Sequence, residues 1–74
     1  MSDALCVLLV YSTSHALRIE KILKEKGIGC KLVPVPRLLS SDCGICIRFR
    51  EEDREQVEKI VETTGIETPG IYSL

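Results

Sequence analysis

The chain has 74 residues, enough for one small domain, and folding at this size buries only roughly 60% of the extended chain's surface. Hydrophobic residues make up 45% and aromatics 4%, so an aliphatic core is available, which excludes a disordered chain and a disulfide scaffold lacking a core of its own. A charged fraction of 28% with a net charge of -1 creates no field that would draw phosphate, which excludes a strongly basic nucleic-acid binder.

The longest apolar run, Ala4 to Val10, falls far short of the ~20 residues of a membrane span. No basic segment and small-residue cleavage site frame it, so neither a membrane partner nor a signal peptide is expected. A cytoplasmic location follows as the expectation, with the four cysteines as reduced thiols.

The first element is the continuous apolar stretch from Leu5 to Tyr11, the pattern of a strand central in its sheet, with the strand expected near 4–11. Ser12, Thr13 and Ser14 follow, and any of their hydroxyls can cap a helix. From His15 to Lys26, the residues Ala16, Ile19, Ile22 and Leu23 share one helical face, and Gly27 supplies the stop. A second strand is expected over 30–36, where Pro34 and Pro36 lack a ladder donor and place it at an edge.

Irregular chain from Arg37 to Gly44 leads into Ile45–Arg50, which alternates strictly. Ile45, Ile47 and Phe49 take one face, and Cys46, Arg48 and Arg50 the other, so Cys46 points away from the helices and is expected to be less shielded than Cys6 and Cys30. Glu51, Glu52 and Asp53 put negative charge at the start of a second helix, whose inward face is Val57, Ile60, Val61 and Thr64. Thr68-Pro69-Gly70 is a turn, and a last strand is expected over 71–74. The order β-α-β-β-α-β predicts an α+β fold, the ferredoxin-like two-layer sandwich with an antiparallel sheet and both helices on one face. Without linkers or repeats, residues 1–74 form a single domain.

Candidate chemistry centres on the segment Pro36 to Cys46. Its polar middle lies between two strands, where a loop presents side chains to solvent, and Gly44 beside Cys43 leaves the sulfur unshielded. An ordinary thiol is mostly protonated at neutral pH, so reactivity needs nearby positive charge; Arg37 and Arg48 are candidates, while Asp42 opposes the thiolate.

Cys43 and Cys46 also form a C-x-x-C pair, but one that opens a strand instead of a helix, without the helix N-terminus that activates a thioredoxin-like site. Cys6 and Cys30 are isolated inside strands and read as core, so the spacing argues against a structural metal site. His15 reads as a solvated or capping residue, and Glu51 to Glu55 as a solvated helix start. Lys31, Arg48 and Arg50 would form a small basic patch on the helix-free face. No G-x-G-x-x-G, P-loop or His–carboxylate cluster is present, so no cofactor is expected.

Several of these residues together resemble a family. The first strand running into Ser12-Thr13, then Ala16-Leu17 and Glu20, and above all Pro36-Arg37, Ser40-Ser41 and Cys43-Gly44 are similar to the small selenium/sulfur carrier protein-like family. The resemblance implies a carrier cysteine at Cys43 that holds sulfur or selenium as a persulfide or selenosulfide. Arg37, Ser40, Ser41 and Gly44 then form the supporting loop, and the partners are donor and acceptor proteins. Two positions depart from the pattern: Asp42 stands where a further Ser is expected, and Cys46, a candidate resolving thiol, where an ordinary strand residue is expected.

The resulting expectation is a carrier more than a true catalyst. Two rival functions are a non-catalytic binding or regulatory module and a thiol-disulfide redox protein using Cys43 and Cys46. A homodimer through the helix-free sheet face is also expected, because the first strand is apolar on both sides.

Overall fold

An all-apolar strand is stable only where both its faces are covered. β1 (Leu5–Leu9) therefore lies inside the sheet, flanked by β3 (Ile45–Arg50) and β4 (Gly70–Ser73), with β2 (Cys30–Pro34) beyond β3. The computed structural model describes residues 4–36 and 44–74. The strand order is β2-β3-β1-β4, and each neighbouring pair is antiparallel. Since β1 and β2 both run against β3, they are parallel to one another, and α1 (Thr13–Glu25) carries the chain between them. β3 and β4 are likewise parallel, flank β1, and are joined by a short 3-10 turn (Glu51–Asp53) and α2 (Arg54–Thr64). Each β-α-β unit thus straddles a strand of the other.

Both helices cover the same face. Ala16, Ile19 and Leu23 of α1 and Val57 and Val61 of α2 pack with Cys6, Leu8, Ile47 and Phe49 in one buried cluster. A fully buried Leu or Ile contributes about 1.5–3 kcal/mol, so this cluster is the main stabilising term for so short a chain. On the opposite face Val7, Leu9 and Cys46 form a second buried cluster, with Val33 and Val35 packed against it. Val7 and Leu9 are only 0% and 2% exposed. The aliphatic side chains that β1 turns to this face are therefore withdrawn from solvent within the chain itself.

Local signals set the helix ends. The Ser12 Oγ accepts from the His15 backbone N–H at 3.3 Å, so the helix starts at Thr13, ahead of the expected His15. At the other end, the Gly27 N–H donates to the Lys24 carbonyl at 3.0 Å and the Ile28 N–H to the Leu23 carbonyl at 2.9 Å. That double closure requires a left-handed residue, and Gly27 has φ 81°. The same closure seats Ile28 against Leu23 in the core.

Three expectations need correction. β1 stops at Leu9, and Tyr11 is 52% exposed because it leads into the α1 cap instead of extending the strand. β2 ends at Pro34 and not at Pro36. Thr64 is not an inward core residue: its hydroxyl donates to the Val61 carbonyl at 2.6 Å and accepts from the Ile66 N–H at 3.2 Å, closing the end of α2.

Leu23→Ala should cost about 2–5 kcal/mol, the range for emptying a closely packed core site. Leu17 lies on the same helix but is 51% exposed, and Leu17→Ala should change stability by less than about 0.5 kcal/mol. Urea titrations of both variants check the contrast.

Candidate functional site

The β2–β3 connection is pinned at its base. One rung beyond the Pro34↔Ile45 pair, the Val35 N–H donates to the Gly44 carbonyl at 3.1 Å. Gly44 has φ 78°, a left-handed conformation that L side chains rarely adopt, so the chain turns sharply immediately before β3. A Cβ built there would meet nothing within 4 Å, so the demand for glycine is conformational and not steric. Of the expected site, Arg37, Ser40, Ser41 and Cys43 lie outside the described residues, as does Asp42.

The sheet register relates this turn to a helix start. Leu9 pairs with Cys46, so the end of β1 and the beginning of β3 lie at one end of the sheet. From that end the chain runs through Tyr11 and Ser12 into α1, whose first turn carries no acidic residue to offset its positive dipole end. Gly44 and the α1 N-terminus therefore share an end of the molecule, although more than thirty residues separate them in sequence. Sequence patterning did not show this, because register is set only when strands pair. His15 sits in that first turn and caps through its backbone. Its ring Nδ1 is buried with no hydrogen-bond partner among the described residues.

The described cysteines occupy three different environments. Cys46 faces away from the helices, as its parity predicts, but it is 0% exposed where partial exposure was expected. It packs in one cluster with Val7, Leu9, Val33 and Val35, and its Sγ donates to the Pro34 carbonyl at 3.9 Å. Cys6 is equally buried in the helix-side core, as expected.

Cys30, on the edge strand, is only half-buried and so less shielded than expected, and its Sγ donates to the Glu20 carbonyl at 3.9 Å. Burial foremost, and then the Glu20 carboxylate, push its pKa up, with Lys24 partly offsetting them. The sheet stands between Cys46 and the other two, so these three sulfurs do not converge on one ion.

The basic residues gather as the alternation of β3 predicts. Lys31 pairs directly with Arg48, and Arg50 lies two residues further along the same face. No described helix is long and apolar enough to cross a membrane.

Residues 5–73 match the model of the family described as "Putative Se/S carrier protein-like". No protein of curated function and no solved structure matches the chain.

Alkylation of the native chain should leave Cys6 and Cys46 unmodified and label Cys30 slowly at neutral pH, its rate rising only above the ordinary thiol range. The same raised pKa fixes a stability trend. The folded state keeps the Cys30 proton after the unfolded state has lost it, so this group's contribution is complete below the ordinary thiol pKa. It is lost as pH rises through the folded value, and Cys30→Ala should lessen the alkaline fall in urea midpoints.

Proposed function

We propose, on the premise that the chain belongs to the Se/S carrier protein-like family, that it carries sulfur or selenium on Cys43 as a persulfide or selenosulfide. The observation that carries the assignment is the state of the other three thiols. Cys6 and Cys46 are 0% exposed, and Cys30 is held in its protonated form by burial and by Glu20. A carrier must accept sulfur from one protein and offer it to another, which a sealed or protonated thiol does poorly. These states favour Cys43, next in the chain to the left-handed Gly44, for the role.

Loading balances without an external oxidant. The Cys43 thiolate attacks the outer sulfur of a donor persulfide, forming a new S–S bond as the donor's S–S bond breaks. The donor leaves as a thiolate and takes up the thiol proton. An acceptor thiolate repeats the exchange on the Cys43 persulfide and restores the carrier. Arg37, Ser40, Ser41 and Gly44 support the loop in this scheme. The α1 N-terminus lies at the same sheet end as Gly44, and a helix N-terminus favours an anion brought near it. Such chemistry belongs to a reducing compartment, consistent with a cytoplasmic carrier.

The redox alternative, with Cys46 as resolving thiol, draws on one feature. The Gly44 turn breaks the extended backbone that would hold residues three apart at ~10 Å, beyond the ~7 Å a disulfide tolerates. The full burial of Cys46 opposes it, since resolution would require opening the cluster formed with Val7 and Leu9. Carriage on a single cysteine is the better-supported function.

Brief treatment with a small sulfur donor followed by intact-mass spectrometry tests it. One added sulfur atom should appear on the native chain, persist in Cys46→Ser and vanish in Cys43→Ser. Loading that survives without Cys43 would defeat the assignment.

A further inference from the structure

Charge is divided between the two sides of the molecule in a way that the net charge of -1 conceals. None of the four strands carries an Asp or Glu. Among the described residues every side-chain carboxylate lies on α1, on α2, in the Glu51–Asp53 turn or at Glu67. The helix-free face instead places Lys31 directly opposite Arg48 on the neighbouring strand. Two like charges so placed destabilise a sheet. Neither residue belongs to an ion pair among the described residues, which are Lys24–Glu20, Arg50–Glu52 and Arg54–Glu58.

The register aligns Tyr72, Val7, Arg48 and Lys31 in one row across all four strands, with Arg50 beyond it. Lys31, Arg48 and Arg50 line an open depression of about 630 Å³ that also touches Leu5. Glu52 and Asp53 line it as well, so three cations face two carboxylates, and Arg50 meets Glu52 at 3.6 Å. Both partners of that pair are about 70% exposed, so the pair is weak and open to competition.

We infer that this row is a docking surface for an acidic segment of the proteins that exchange sulfur with the carrier. The inference rests on the carrier function above and names the chemistry of its partners. The depression is open, with Lys31 and Arg50 exposed and Arg48 half-buried, which suits an extended acidic chain better than an enclosed small ligand. A second copy is a poor occupant, because face-to-face pairing would set Lys31 and Arg48 against cations of the same kind. Three cations are also too few to track a nucleic-acid backbone.

Arg48 lies four residues along β3 from Gly44, about 14 Å at strand spacing. An acidic segment held there leaves the Gly44 end of the sheet open to the reacting group. Docking and transfer thus use neighbouring but separate surfaces, and steering by charge speeds the encounter without tightening the complex so far that release becomes slow.

The test is an NMR titration of the labelled chain with an octaglutamate peptide, with inorganic phosphate and an oligothymidylate as separate arms. Amide shifts should cluster at Val7, Lys31, Arg48, Arg50 and Tyr72 and fade with added salt. Affinity should fall about tenfold in a Lys31→Gln/Arg48→Gln variant. It should be unchanged in Lys59→Gln, a control on α2. Because Cys43 is no part of the proposed surface, Cys43→Ser should bind the peptide as the native chain does, so failure here is distinct from failure of sulfur loading. Shifts spread over the helices, or equal affinity in the double variant, would overturn the docking surface. Phosphate or the oligothymidylate binding these residues as tightly as the peptide would overturn its acidic-protein partner.

Discussion

Everything in this fold depends on β1 being buried on both sides. Cys6 and Leu8 point into the helix-covered core, while Val7 and Leu9 are equally sealed on the face that carries no helix. A strand of that kind needs a partner along each edge and cover over each face. That requirement places β1 between β3 and β4 and leaves the proline-bearing β2 at the margin. On the helix-free side, Val33 and Val35 pack against the cluster of Val7, Leu9 and Cys46.

The same constraint sorts the thiols. Strand parity alternates side chains between the two faces, so Cys6 must enter one cluster and Cys46 the other, and both are withdrawn from solvent. Cys30 escapes full burial because an edge strand has a neighbour on one side only. It gains no reactivity from that exposure, since its sulfur lies against the Glu20 carbonyl near the Glu20 carboxylate. Selectivity for one cysteine can thus arise from silencing the others, without a dedicated activating pocket.

Antiparallel pairing also divides the molecule lengthwise. At one end the Gly44 turn and the start of α1 come together. Toward the other lie Arg50, the Glu51–Asp53 turn and the depression beside Lys31. Under the function proposed above, a carrier that must meet at least two proteins gains from keeping the proposed reacting end apart from the proposed docking surface. Exposed charge pairs such as Lys24–Glu20 and Arg54–Glu58 add only about 0.3–0.5 kcal/mol each and serve mainly to keep the helix faces solvated.

The sequence by itself determined the elements, their order and which side chains face the helices. Periodicities of two and of 3.6 are properties of a local chain that survive without its neighbours, so Ile45–Arg50 and the Ala16, Ile19, Leu23 stripe were legible at once. The family was legible too, through Pro36-Arg37 and Cys43-Gly44. Local pattern could not say how far burial would reach on the helix-free face. Cys46 was therefore expected to be partly exposed, and the aliphatic residues of β1 on that face were expected to be left uncovered by the chain itself. Those outcomes depend on cross-strand neighbours, and neighbours are fixed by register. Register alone put Lys31 opposite Arg48 and brought Gly44 to the α1 end of the sheet, because pairing is a long-range choice made when the whole sheet closes over its core.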